Sequence, residues 1–152
     1  MGGEIVKKLK LGILILVGLL LLIQLFPATR SNPKVSGDIQ TTAGFKRLLR
    51  RSCYDCHSYD TRWPWYSHVA PVSWLVVHDV EEARGRLNFS KWEEYSPAAR
   101  GHLMEEIVDE VTDGDMPLPR YLYLHPKARI SQTELELFKQ WVATVDDQHR
   151  QD

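Results

Sequence analysis

The chain has 152 residues, 43% of them hydrophobic and 26% charged, with 19 Lys and Arg against 20 Asp and Glu and a formal net charge of −1. That balance offers no basic field for nucleic acid, so no nucleic-acid partner is expected. About 120 residues follow the first thirty, enough for one domain with one core, and no internal repeat or low-complexity run divides them.

An apolar run from Leu11 to Phe26 follows Lys7, Lys8 and Lys10 and is interrupted only by Gly12, Gly18 and Gln24. As a helix it is about 24 Å long, slightly short of a hydrocarbon core of about 30 Å. Ile5 and Val6 extend it, and lysine stems snorkel across the remainder. Residues 1–30 are therefore expected to form a single N-terminal transmembrane helix in contact with membrane lipid. A cleaved signal peptide competes, because it shares the positive start and apolar middle, but Pro27-Ala28-Thr29-Arg30 offers no good small-x-small cleavage site. The lysines keep the N-terminus in the cytoplasm and send the rest across. The expectation is a single-pass protein of the cytoplasmic (inner) membrane with its domain in the periplasm or outside.

Residues 31–38, Ser-Asn-Pro-Lys-Val-Ser-Gly-Asp, read as a polar, turn-rich linker, and residues 39–152 as an all-α domain. A short helix is predicted around Thr41 to Arg50, with Phe45, Leu48 and Leu49 on one face. A second is predicted around Pro71 to Leu87, carrying Leu75, Val76, Val80 and Ala83 at helical spacing. Ser90-x-x-Glu93 is a capping box for a brief helix. Ser96-Pro97 starts another through Leu103, Ile107, Val108 and Val111, ended by Asp113-Gly114. Ser131-x-x-Glu134 opens the last helix, which turns Leu135, Phe138, Trp141 and Val142 toward the core and runs to about Val145. No convincing strand pair is present.

Between the first two predicted helices stands Cys53-Tyr54-Asp55-Cys56-His57, which contains the only two cysteines. C-x-x-C-H is the signature of c-type haem attachment: each thiol adds across one vinyl group, and the following histidine ligates the iron from the proximal side. Three other readings use the same residues. A thioredoxin-like pair wants a strand before the motif, where Phe45–Arg50 reads as helix. A structural zinc site lacks a second pair of cysteines, and a disulfide across so short a loop restricts the unfolded chain little. Haem c, one per chain, is the expected cofactor, completing the core of a small domain.

A six-coordinate electron-transfer haem needs a second axial ligand, and methionine is the usual one where a raised potential is wanted. Met1 falls on the cytoplasmic side, and Met104 belongs to a helical pattern beside Leu103. Met116 lies in the irregular loop Asp113–Tyr121 ahead of stiffening prolines, which suits a distal iron ligand. His68 and His125, in irregular segments, offer bis-histidine ligation instead, whereas His78 and His102 read as helix-surface histidines. Trp63, Trp65, Tyr66 and Trp74 are most simply walls of the haem pocket that exclude water and raise the potential, and Arg62 is available to the haem propionates.

Ser52–Ser58, Trp63-Pro64-Trp65-Tyr66-Ser67, Ala70–Trp74, Leu87-Asn88-Phe89-Ser90 and Gly114-Asp115-Met116-Pro117-Leu118 together resemble the small bacterial haem-binding domain family of membrane-anchored c-type cytochromes. The likeness covers about Ile39 to Trp141, and the anchor belongs to the same pattern. It implies a small cytochrome-c-like helical domain around one covalent haem, with Cys53 and Cys56 as attachment points, His57 as proximal ligand and Met116 as distal ligand. The Met-Pro loop before the last helix is similar to that of small class I cytochromes c. The Trp-rich turns and two helices between His57 and Met116 depart from class I topology. The function expected is electron transfer with redox partner proteins at the membrane rather than catalysis. A haem peroxidase-like enzyme, using His68 or His125 as acid and base, and a haem-based redox or gas sensor are the alternatives.

Overall fold

The computed structural model describes the backbone of residues 2–149 and the side chains of residues 2–143. Met1, one of the three methionines weighed above, and residues 150–152, the end of the expected domain, lie outside the described residues. Among the described residues there is no strand. The helices are α1 (Gly2–Ile23), α2 (Ala43–Ser52), α3 (Tyr54–His57), α4 (Val72–Arg86), α5 (Pro97–Asp113), α6 (Pro119–Leu124) and α7 (Gln132–His149). Single 3-10 turns at Trp65–His68, Phe89–Glu94 and Pro126–Ala128 join them. The all-α expectation is met.

The chain divides into two compact units. One takes the chain up to Ser31 together with Trp63–Glu81, and the other takes Asn32–Arg62 and the chain from Glu82 onward. In the first unit α1 buries none of its residues. Its end is fastened by side chains: the Gln24 amide donates to Ala70 O at 3.0 Å and accepts from Ala70 N–H at 2.9 Å, while the Trp74 indole N–H donates to Phe26 O at 2.8 Å. Arg30 Nη1 donates to Ser67 O at 2.9 Å. Side-chain pairing over more than thirty residues joins the Trp-rich segment to the foot of α1, and no helical periodicity carries that information.

Among the described residues no helix is long and apolar enough to cross a membrane. The expected span to Phe26 is shortened because α1 stops at Ile23 and Gln24–Phe26 form turns. The uncharged part of α1, Leu11–Ile23, is about 20 Å long, against a hydrocarbon core of about 30 Å.

In the second unit the predicted linker is held in place. Asn32 Nδ2 donates to Thr61 O at 2.8 Å, Gly37 N–H to Ser90 O at 3.1 Å, and Lys46 pairs with Asp38 at 2.5 Å. The core gathers α2, α5 and α7: Phe138 meets Phe45 edge-on at 4.8 Å, and Trp141 lies 4.8 Å from the same ring. Met104, Ile107 and Phe89 fill the remainder of this cluster, and Tyr54 stacks on Phe89 at 5.1 Å. Ser96 caps α5 through Ala99 N–H, and Gly114, at φ 82°, ends it in the left-handed conformation that glycine adopts without a Cβ clash. Ser131 and Glu134 form the reciprocal capping box of α7. Ser90 does not cap. Asn88 Oδ1 accepts from Ser90 N–H, and the buried Ser90 hydroxyl accepts from Tyr59 N–H. α6 replaces part of the irregular loop expected over Asp113–Tyr121; it begins at Pro119, whose missing N–H is no loss in a first turn.

Candidate functional site

α2 ends at Ser52, and Cys53 N–H still donates to Leu49 O at 2.8 Å. The Cys53 carbonyl then accepts from both Cys56 and His57 N–H, at 3.1 and 2.9 Å, which winds Tyr54–His57 into the single turn α3. The motif is thus a rigid extension of a packed helix, with Tyr54 buried and its hydroxyl on Asp38. Cys53, Cys56 and His57 are half-buried, and the two cysteines are not joined in a disulfide.

Beside this turn lies a cavity of about 460 Å³, within the range of about 300–1,000 Å³ usual for small-molecule and cofactor sites. Ser52, Cys53 and His57 line it from the motif, and Leu87 and Phe89 from the chain after α4. Leu103, Ile107 and Val111 line it from α5, and Met116, Pro117 and Ile130 from the later loops. Arg86, Glu106 and Glu110, all exposed, complete the lining.

His57 Nδ1 lies 3.2 Å from Leu87 O. A carbonyl only accepts, so Nδ1 carries the proton and Nε2 keeps its lone pair for a metal. Burial moves the imidazole's pKa down, against the opposing pull of the Leu87 and Ala83 carbonyls, so the ring stays neutral, as a ligand must be. Burial likewise pushes the Cys53 thiol up to about 12, the reverse of the lowered value that a thiol-redox motif needs.

Met116 reaches the cavity through the end of α5. The Glu110 carbonyl accepts from Gly114 N–H and, at 3.0 Å each, from Asp115 and Met116 N–H. The chain therefore folds back onto the last turn of α5, and Met116 shares a wall with Ile107 and Val111. Met104, by contrast, is buried in the core, in agreement with its helical pattern. The cavity brings together Cys53, His57 and Met116; Cys56 is not among its lining residues.

None of Trp63, Trp65, Tyr66 or Trp74 lines the cavity, and all four belong to the unit built on α1. Leu87, Phe89, Leu103 and Ile107 make the apolar wall instead. The alternative ligands His68, His78, His102 and His125 are not in the lining either. His125 stacks on Tyr121 at 4.2 Å, and His102 pairs with Glu106 at 3.3 Å. Arg62 turns to Asp55, between the cysteines, at 3.5 Å.

Three positioning residues carried no sequence signal. Arg84 Nε donates to Ser58 O at 2.7 Å, and its Nη2 donates to Thr61 Oγ1 at 2.9 Å, fixing the chain just after His57. Tyr121 donates from its hydroxyl to Asp55 Oδ2 at 2.9 Å, tying α6 to the attachment turn. Leu87 acts through a backbone carbonyl, which no side-chain pattern announces.

The donor set fits haem: Cys53, His57 and the Met116 thioether line one cavity, Cys56 stands one helical turn from Cys53, and the His57 Nδ1 is committed to Leu87 O, which leaves Nε2 for the iron. Among the described residues no group of three or more His, Cys, Asp and Glu side chains is arranged to hold a bare metal ion. No curated protein and no solved structure matches the chain. The family model described as "Haem-binding domain" matches residues 18–144, most of the chain, and the protein belongs to that haem-binding family.

Proposed function

We propose that this haem-binding protein is a mono-haem c-type cytochrome that transfers electrons at the periplasmic face of the cytoplasmic membrane. The observation that carries the reading is the meeting of Cys53, His57 and Met116, sixty residues apart in sequence, in one cavity, with His57 Nδ1 already committed to Leu87 O. Cys53 and Cys56 would hold the porphyrin by thioethers, and His57 Nε2 and the Met116 sulfur would be the iron's two protein ligands. Haem, when bound, supplies an iron that cycles between ferric and ferrous. The chain sets the potential: the thioether favours the ferrous state, and Leu87, Phe89 and Ile107 keep water away. With both axial positions filled by side chains, the protein works as a carrier and not as an enzyme.

The membrane assignment rests on α1. Its apolar side chains are exposed along its length, and Lys7, Lys8 and Lys10 precede the uncharged part. Leu11–Ile23 seats in the bilayer with lysine stems covering part of the shortfall, and the positive end stays in the cytoplasm. Tethering confines the search for redox partner proteins to the membrane surface.

The test is to export the full chain in cells with haem-attachment machinery and extract it with acid acetone. Haem that stays on the polypeptide and gives a two-thioether pyridine haemochrome is expected; extractable haem overturns covalent attachment. The ferric protein is expected to be low-spin with a weak sulfur-to-iron charge-transfer band, and the ferrous form to bind carbon monoxide slowly. Met116→Ala abolishes the band, admits carbon monoxide and lowers the potential by on the order of 100 mV, a part of the roughly 0.8 V that axial ligands span. A high-spin wild type that turns over peroxide favours an enzyme instead, using Glu106 or Glu110 of the same cavity.

A further inference from the structure

The two longest stretches of this chain without Asp, Glu, Lys or Arg are Leu11–Thr29 and Trp63–His78. In a chain with 26% charged residues these are the two places where a charged side chain is systematically missing, and the fold puts them in one unit. The second stretch is held against the foot of α1 by the Gln24–Ala70 pair and by the Trp74 bond to Phe26 O.

The surface they make is carbon. Trp65 is 77% exposed, Val69, Val72 and Leu75 are exposed in the same segment, and Leu25 and Phe26 are exposed at the foot of α1. Apart from the exposed His68, the polar side chains that seat this region are bonded within the protein. Gln24 Nε2 donates to Leu20 O at 2.8 Å as well as to Ala70 O, and its Oε1 accepts from Ala70 N–H, so the one polar side chain in the apolar run is satisfied within the protein. The Trp74 indole N–H and the Ser67 hydroxyl are likewise bonded to backbone carbonyls. A side-chain amide at an exposed position gains little from such closure in water, whereas in a lipid environment an unpaired amide costs several kcal/mol.

Resting on the membrane reading above, we propose that Trp65–Leu75, with Leu25 and Phe26, is a lipid-facing footing embedded at the boundary between headgroups and acyl chains of a phospholipid bilayer. The uncharged part of α1 is too short to cross the hydrocarbon core alone. A tryptophan-bearing apolar footing at its outer end lets the protein sink into the interface, where amphipathic rings are at their most stable. The absence of charge selects lipid over a polar protein partner, and the internal satisfaction of Gln24 and Trp74 removes the cost of leaving water.

The test uses the full chain, carrying fluorotryptophan, in nanodiscs of phosphatidylethanolamine and phosphatidylglycerol, kept ferrous and read by fluorine NMR. Single Trp→Phe variants assign the five resonances. A spin-labelled lipid near the headgroup is expected to broaden Trp65 and Trp74 severalfold and to spare Trp92 and Trp141, while an aqueous gadolinium chelate leaves Trp65 sharp. A chain retained in the disc whose Trp65 answers the chelate and not the lipid overturns the footing and leaves the tether standing. Protection from both probes in discs holding two copies shows a protein contact instead and also overturns it. A chain that does not stay with the disc overturns the tether itself, and the footing with it.

Discussion

Trp65 stands 77% exposed, while Trp92 is 7% exposed and lies 6.3 Å from Trp141 among the rings of the core. The two units that hold them use apolar residues in opposite senses. The unit containing the cavity buries its large side chains and fastens its surface with ion pairs such as Arg51–Glu134 at 2.8 Å and Arg50–Asp60 at 2.5 Å. The unit built on α1 turns its large side chains outward and its hydrogen bonds inward, through Gln24, Ser67 and Trp74. The same residue types therefore report a packed core in one place and an apolar surface in the other. What separates them is how the polar groups are satisfied, not how hydrophobic the segment is.

Removing the haem attachment is the harshest way to break this comparison. On the proposed attachment, Cys53→Ala with Cys56→Ala takes away the group that would fill the cavity, a loss comparable to the whole stability of a small domain, about 5–15 kcal/mol. The expected outcome is a chain that still fractionates with membranes but whose haem unit is degraded by added protease. Loss of both properties together would show that the two units are not independent.

Phe138, fully buried against Phe45, sharpens the contrast at the level of single rings. Phe138→Ala is expected to cost about 3–5 kcal/mol in denaturant unfolding followed through the haem band, and Trp65→Ala to stay within about 0.5 kcal/mol in the same detergent. Equal losses would mean that Trp65 is covered by the fold.

A smaller effect is expected at Tyr121, whose hydroxyl bonds the Asp55 carboxylate and so ties the helix after Met116 to the turn that carries the cysteines. Tyr121→Phe is expected to cost about 1–2 kcal/mol. Imidazole or carbon monoxide should then bind faster, because the Met116 loop opens more often. Tyr123→Phe, at a side chain 85% exposed, should leave those rates unchanged.

The smallest effect is the ion pair at the start of α7. The Glu134 carboxyl is held down to about 2, first by the Arg51 guanidinium and then by Ser131 N–H. A depressed folded-state value means that the pair stabilises above the ordinary carboxyl pKa near 4.5 and is lost as pH falls from there toward 2. Glu134→Gln is expected to cost about 1 kcal/mol at pH 7, the group being partly solvated, and progressively less as pH falls through the folded-state value. A cost that does not shrink between pH 5 and pH 2 would place the contribution in packing.

What the sequence by itself determined is local. C-x-x-C-H needs one helical turn to align its donors, and the caps at Ser96 and Ser131 bond within three residues, so spacing alone identifies them. The glycine at 114 ends α5 for a reason internal to its own backbone. Tertiary structure decided everything that depends on distant pairing. It took Met116 to the cavity and Met104 to the core, although both are the same residue type twelve positions apart. It gave His57 a backbone carbonyl thirty residues away as its partner. It placed Trp63, Trp65 and Tyr66 in the unit built on α1, where bonds join their segment to Gln24, Phe26 and Arg30. Helical periodicity and motif spacing describe what a residue does within a few turns of itself. Which surface meets which is set by contacts across thirty to sixty residues, and those become visible only when the chain is folded.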